Sequence, residues 1–386
     1  MDIFLTGTRA LALLRESRRG GAPSLLEETA AAATPFAGKM PPLEKLECIA
    51  PLSFANVSPS RPVDVVFPDG DTRHRSAEIR CQVCGIARAG SFVRLGVSPR
   101  ELEEAGLPKD LRLYIDSPGR IFLVAAQTLS RLIHTGRIES YEAFLRLLSL
   151  GSELCGSYAR DPKSPHEGKI VYRIPQATTV SEISRYLARC KGNRGLSLAK
   201  KATQYLVDGI RSPLECEFYF ALTLPPRLGG IGFPLPLVNK PLELEERTSD
   251  ITTVKSNRFA RTQNEPHGST SFSHYDEITP DMHWPLPEQG LVIEVDGYFY
   301  HSDREAFVND RFRDQDYKSC GYQVLRITYE NMADVGTLEK TLALVVQVAE
   351  PWLSQSRVKN LRRSIRKTRE SGLRAILISI LGPGKR

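Results

Sequence analysis

The sequence predicts a mixed α/β protein with more than one domain. Its 386 residues exceed the length of a single typical domain, so two or three domains are expected. Short apolar runs typical of strands share the chain with longer runs of helical periodicity. Hydrophobic residues make up 41% of the chain and charged residues 25%, which is the composition of a protein that buries an ordinary core.

Two segments of different character make up the first half. Residues 1–50 are expected to form a helical N-terminal segment, because short helical patterns there are interrupted by a Gly-Gly and a Pro-Pro pair. Residues 51–178 are expected to form a small α/β accessory domain, with helices over 119–158. Its predicted strands are Val63–Phe67, Ile79–Val83, Phe92–Leu95 and Leu111–Ile115.

Three further segments follow in the second half. Residues 179–211 are expected to be a basic helical connector, whose first helix has Thr179 or Ser181 as its N-cap. Residues 212–350 are expected to be a second α/β domain that opens with a helix, with Ser212 as its N-cap and Pro213 as its first residue. Residues 351–386 are expected to be a basic C-terminal helix and tail.

Charge and cysteine content indicate the class of partner and the compartment. The net charge of +7 favours an anionic partner, with nucleic acid ahead of a membrane surface. No membrane insertion is expected, since the apolar run at 373–381 is too short to span a bilayer. Asp2 and seven scattered cysteines argue against secretion and favour the cytoplasm. Cys81 and Cys84 form a lone CxxC pair, either two strand thiols or part of a metal site.

An apolar strand near residue 290 carries carboxylates. Alternation along a strand puts Glu294 and Asp296 on one face, and Asp281 lies on the preceding strand of a predicted hairpin. Glu215, on an earlier predicted helix, is placed to complete the group. Buried carboxylates need a partner, and hard oxygen ligands suit Mg²⁺ or Mn²⁺. The alternative is a set of surface acids on an edge strand.

The order of these residues resembles one nuclease family. The matching positions are Glu215, Asp281, Glu294-Val295-Asp296-Gly297, His301, Asp310-Arg311-Phe312-Arg313 and Gly321-Tyr322-Gln323-Val324-Leu325-Arg326. Together they resemble the very-short-patch-repair-like branch of the PD-(D/E)XK nuclease superfamily, over about residues 212–345. The resemblance implies a restriction-endonuclease-like mixed β-sheet flanked by helices.

The resemblance also implies a chemistry and a set of roles. Metal-dependent cleavage of DNA phosphodiester bonds is expected, with Mg²⁺ or Mn²⁺ held by Asp281, Glu294 and the Val295 carbonyl. Glu215 would complete the shell. Asp296, where the superfamily commonly has lysine, would bind or orient the attacking water. His301 is a base, a ligand, a phosphate contact or a structural histidine.

Basic residues are expected to contact the DNA backbone or, alternatively, to be ordinary solvated helix faces. The candidates are Arg189, Arg194, Lys200, Lys201, Arg313, Arg362, Arg363 and Arg366. The run Tyr114-Ile115-Asp116-Ser117-Pro118 and the strands before it resemble, more faintly, type IV abortive-infection antitoxins. The rival hypothesis is therefore an antitoxin-like, nucleic-acid-binding regulator with a catalytically silent nuclease fold, and a third is a protein-interaction module.

Overall fold

The computed structural model describes a mixed α/β chain. The described residues are 2–30, 40–67, 76–83, 90–242, 279–286, 289–296, 314–315 and 317–381. Two mixed β-sheets and a short two-stranded ribbon are surrounded by helices, which confirms the α+β class.

The first sheet has six strands in the order β2-β5-β6-β1-β3-β4. They are β1 (Asp2–Leu5), β2 (Ser24–Ala30), β3 (Val63–Phe67), β4 (Ile79–Val83), β5 (Phe92–Gly96) and β6 (Arg112–Asp116). The predicted accessory-domain strands match β3 to β6 within one residue, because each is an apolar run bounded by turn residues.

The N-terminal segment was wrongly predicted to be helical throughout. It contributes β1, which pairs in parallel with β6 and antiparallel with β3 at the centre of the sheet. It also contributes β2, at the sheet edge, and helix α1 (Gly7–Arg18). A short strand buried on both faces, such as Ile3–Phe4–Leu5, carries no alternation, so periodicity does not distinguish it from a helix.

Helices cover the first sheet and extend it toward the rest of the chain. They are α2 (Leu43–Ile49), α3 (Pro51–Phe54), α4 (Pro99–Glu104), α5 (Pro118–His134) and α6 (Ser140–Leu154). Strands β7 (Tyr158–Ala159) and β8 (Val171–Tyr172) form the two-stranded ribbon. A buried ion pair joins α1 to α6, with 2.7 Å between Arg15 Nη2 and Glu153 Oε2.

The basic connector consists of α7 (Val180–Arg189) and α8 (Leu196–Thr203). Thr179 caps α7 through a capping box with Glu182, which decides between the two predicted N-caps. Both helices pack against α5, and α8 also packs against α6. The connector is therefore part of the accessory-domain core, and its charged side chains lie on the outer face.

The second sheet has four strands in the order β12-β11-β10-β9. They are β9 (Leu237–Val238), β10 (Met282–Trp284), β11 (Gly290–Asp296) and β12 (Tyr322–Thr328). β10 and β11 are antiparallel, as predicted, and β11 and β12 are parallel. Helix α9 (Pro213–Thr223) packs against β11 and begins at the predicted N-cap, Ser212, whose hydroxyl accepts from the Glu215 N–H.

Three C-terminal helices complete the described chain: α10 (Val335–Val348), α11 (Gln355–Glu370) and α12 (Leu373–Leu381). α12 packs against both α6 and α9. One connected apolar cluster therefore runs from Ile3 to Leu381 and includes residues of every predicted segment. None of the helices in the described ranges is long and apolar enough to cross a membrane.

Candidate functional site

The register of β10 and β11 brings two of the predicted carboxylates together. Met282 pairs with Ile293, and the next step of this antiparallel register sets Asp281 opposite Glu294. The Asp281 Oδ2 atom accepts a hydrogen bond from the Val295 N–H at 2.8 Å. The Asp281 carboxylate, just before β10 begins, therefore accepts a hydrogen bond that a backbone carbonyl would otherwise accept. This bond fixes the carboxylate at the end of β11.

Glu294 is a buried carboxylate on the central part of this sheet. Its side chain is 3% exposed, and the Tyr317 hydroxyl donates a hydrogen bond to its Oε1 atom. Alternation along β11 places it on the same face as Val292, which packs with Tyr317 and Leu242. The register thus places Glu294 opposite Asp281, and the Tyr317 hydroxyl orients the Glu294 carboxylate.

Glu215 joins the pair from the first turn of α9. Its Oε2 atom accepts hydrogen bonds from the Arg211 N–H and the Asn239 side-chain amide, both at 3.0 Å. Burial and the nearby negative charge of Asp281 raise the pKa of Glu215 to about 8. Among the described residues, no lysine, arginine or histidine forms an ion pair with Glu215.

Asn239 links Glu215 to Asp281, and the sequence analysis did not select it. Its backbone N–H donates to the Asp281 carbonyl at 3.0 Å, while its Nδ2 donates to Glu215 and to the Gly209 carbonyl. Its φ of +49° lies in the left-handed region, which asparagine tolerates better than most residues. An asparagine in a proline-rich loop was the only signal in the sequence, and it equally indicates an ordinary turn.

Asp296 is engaged differently from the other carboxylates. The Arg326 Nη1 atom lies 3.0 Å from Asp296 Oδ2, and the Nη2 atom lies 2.9 Å from Asp314 Oδ1. These two carboxylates raise the pKa of Arg326 above its ordinary value, although burial opposes them. The residue predicted to bind or orient water therefore already holds an arginine.

His283 is a second residue that sequence reasoning missed. It lies two residues after Asp281 on β10 and is 2% exposed. Its Nδ1 atom has no hydrogen-bond partner within the described part of the chain. Burial lowers the pKa of His283 to about 4, so the ring is neutral at physiological pH.

Two predicted site residues, His301 and Arg313, lie outside the described residues.

The predicted ligands of the cation lie in or directly beside the second sheet. Within the described ranges, no three His, Cys, Asp or Glu side chains form a ready-made metal-ligand group. The predicted set is smaller: the Asp281 and Glu294 carboxylates and the Val295 carbonyl. All are hard oxygen donors of the kind that Mg²⁺ prefers. The Asn239 Oδ1 atom is buried and accepts no hydrogen bond from any described residue, so the site also has an unused oxygen acceptor. These residues fit a hard divalent cation.

The predicted DNA-contacting residues fall on two surfaces. Arg189, Arg194, Lys200 and Lys201 are exposed on α7, α8 and the turn between them. The Lys201 Nζ atom also lies 5.2 Å from the centre of the Phe144 ring. Arg362, Arg363 and Arg366 are exposed on α11, whose inner face buries Val358, Leu361 and Ile365. Both surfaces are outer faces of packed helices.

The chain was also compared with known proteins. It matches no protein-family model, no curated protein and no solved structure.

Proposed function

We propose that the chain hydrolyses DNA phosphodiester bonds with the help of a divalent cation. The observation that carries the proposal is the placement of Asp281 opposite Glu294 at one end of the second sheet. Asp281 lies opposite Glu294 in the register, and Glu215 is near enough to Asp281 for its pKa to be raised by that charge. Close carboxylates at low solvent exposure disfavour one another's charged form, and a bound cation would relieve this.

Each residue has a proposed role. Asp281 and Glu294, with the Val295 carbonyl, would hold Mg²⁺ or Mn²⁺. A bound cation of this kind polarises a phosphate oxygen and lowers the pKa of a water molecule. Asp281 and Glu294 suit this role because the Val295 N–H and the Tyr317 hydroxyl already fix their orientation. Glu215 would complete the group of ligands from α9.

Asp296 and Arg326 would act as a pair. In the proposed reaction, Asp296 orients the attacking water, while Arg326 holds the Asp296 carboxylate in place at 3.0 Å. Arg326 is itself anchored by Asp314, so its guanidinium cannot easily leave. A restriction-endonuclease-like fold is part of the proposal. It is supported by the parallel pairing of β11 and β12 and by the packing of α9 on β11.

DNA would be held by charge on the two outer surfaces. The exposed basic residues of α7, α8 and α11 would contact phosphates without regard to sequence. The net charge of +7 supports an anionic partner in the same way. DNA affinity of this kind should fall steeply as salt concentration rises.

The test is the cleavage of supercoiled plasmid DNA in Mg²⁺, in Mn²⁺ and in EDTA. The wild-type protein should nick the plasmid with either metal and leave it intact in EDTA. Glu294→Gln keeps the side-chain size and removes a ligand charge, so nicking should be lost. Glu104→Gln, on the exposed face of α4, is the matched control and should cleave like the wild type. Equal cleavage by Glu294→Gln and wild type would refute the proposal.

One observation favours the rival function, a DNA-binding regulator whose nuclease fold is silent. The Asp296 carboxylate is already neutralised by Arg326. If the regulator hypothesis is correct, plasmid DNA stays intact under all three conditions, and DNA binding is equally strong in Mg²⁺ and in EDTA.

A further inference from the structure

Asn239 directly follows β9 and lies between the Glu215 carboxylate and the Asp281 backbone. It contacts Glu215 through its side chain and Asp281 through its backbone. Both contacts are 3.0 Å long, and they join two elements that are far apart in sequence. The Arg211 backbone N–H and the Ser212 side chain also form hydrogen bonds with the Glu215 carboxylate.

The two ends of the Asn239 amide are used unequally. The Nδ2 atom donates both of its hydrogens, to Glu215 Oε2 and to the Gly209 carbonyl at 2.9 Å. The Oδ1 atom is buried and receives no hydrogen bond from the described residues. A buried amide oxygen without a donor costs free energy, so such an atom is retained where a bound group supplies the donor.

The backbone at Asn239 is also unusual. Its φ of +49° is a conformation that most side chains avoid. Asparagine tolerates this conformation and glycine adopts it at less cost, so backbone geometry alone does not require an amide side chain here. The amide itself, with its contact to Glu215, is the feature that the position supplies.

We infer that Asn239 is a positioning residue of the proposed cation site. It fixes one oxygen of Glu215 through Nδ2 and offers Oδ1 as the acceptor for a water carried by the cation. This inference rests on the proposed function, because it needs a cation beside Glu215. Residues in this outer position orient the ligands of a metal, and their loss typically weakens metal affinity about 10–100-fold.

The test is a double-mutant cycle on Mn²⁺ affinity, measured by titration calorimetry. The variants are Asn239→Gly, Glu215→Gln and the two combined. Glycine accepts the left-handed backbone and keeps the N–H that donates to Asp281, so the fold is preserved. Asn56→Gly is the matched control, since Asn56 has a φ of +53° and is exposed.

Asn239→Gly should raise the Mn²⁺ dissociation constant about tenfold. In the Glu215→Gln background the same change should have less than about a twofold effect, because Asn239 acts through Glu215. Asn56→Gly should bind Mn²⁺ like the wild type. An undiminished effect of Asn239→Gly in the Glu215→Gln background would overturn the inference. Unchanged Mn²⁺ affinity in Asn239→Gly would also overturn the inference, but it would leave the proposed cation site intact. Absence of Mn²⁺ binding by the wild type would overturn both.

Discussion

Replacing Glu217 should remove a pH dependence from the stability of the protein. Glu217 lies on α9, is 1% exposed, and its Oε1 atom has no hydrogen-bond partner among the described residues. Burial alone raises its pKa to about 8, against 4.5 for an exposed glutamate. The carboxyl is therefore protonated in the folded protein at neutral pH and ionised in the unfolded chain.

The sign and size of the effect follow from proton linkage. Between pH 4.5 and 8 the folded state binds more protons than the unfolded state, so stability falls as pH rises. At about 1.4 kcal/mol per pKa unit, the buried Glu217 carboxyl lowers the free energy of unfolding by about 1 kcal/mol at pH 5 and by about 3 kcal/mol at pH 7. Glu217→Gln does not titrate, so its free energy of unfolding should gain about 2 kcal/mol on the wild type over this range.

Urea unfolding at pH 5, 6 and 7 measures this difference. Glutamine keeps the volume of the side chain, and any constant cost of its amide cancels when the three pH values are compared. Glu104→Gln, an exposed change on α4, should follow the wild type at every pH. Parallel stability curves for Glu217→Gln and wild type would refute the reasoning, since Glu217 would then be ionised in the fold.

Three further predictions concern other buried or basic groups. Glu339→Ala should lower the free energy of unfolding in urea by about 3–5 kcal/mol, because it leaves the buried Arg374 guanidinium without the carboxylate 2.9 Å away. A loss under about 1 kcal/mol would contradict this. Reversing the charges of Lys200 and Lys201 to glutamate should weaken DNA binding equally for all sequences and flatten its salt dependence. Unchanged binding would identify an ordinary solvated helix face. His283→Phe should resist acid better than the wild type. The wild type loses stability as pH falls from 6.5 to about 4, because the buried His283 ring takes up a proton only when the chain unfolds. Melting curves across this range that stay parallel would contradict it.

Local sequence patterns predicted the accessory sheet and the acidic hairpin well. The strands from Val63 to Asp116 and the antiparallel pair before Asp296 have strong apolar runs and clear turn residues. Their boundaries depend on neighbouring residues, so the sequence alone was sufficient. The N-cap at Ser212 was predicted for the same reason, since its hydroxyl serves a residue three positions away.

Long-range partners were not predictable from the same patterns. The central position of β1 depends on pairing with β6, about 110 residues later. The contact between Asn239 and Glu215 and the capture of Asp296 by Arg326 also join separate elements. A sequence pattern identifies which side chains are charged, but only the folded sheet determines which charged side chains come into contact.

The carboxylate group at the end of the second sheet is the centre of the account, and metal-dependent stabilisation tests it most directly. The measurement is the melting temperature at pH 8 in EDTA and in millimolar Mn²⁺. A cation that binds only the folded state at 100 times its dissociation constant contributes about 2.7 kcal/mol, which corresponds to a rise of several degrees. We expect this rise in the wild type and its loss in Asp281→Ala. A melting temperature that Mn²⁺ leaves unchanged would contradict the account, and a rise that survives in Asp281→Ala would locate the cation elsewhere.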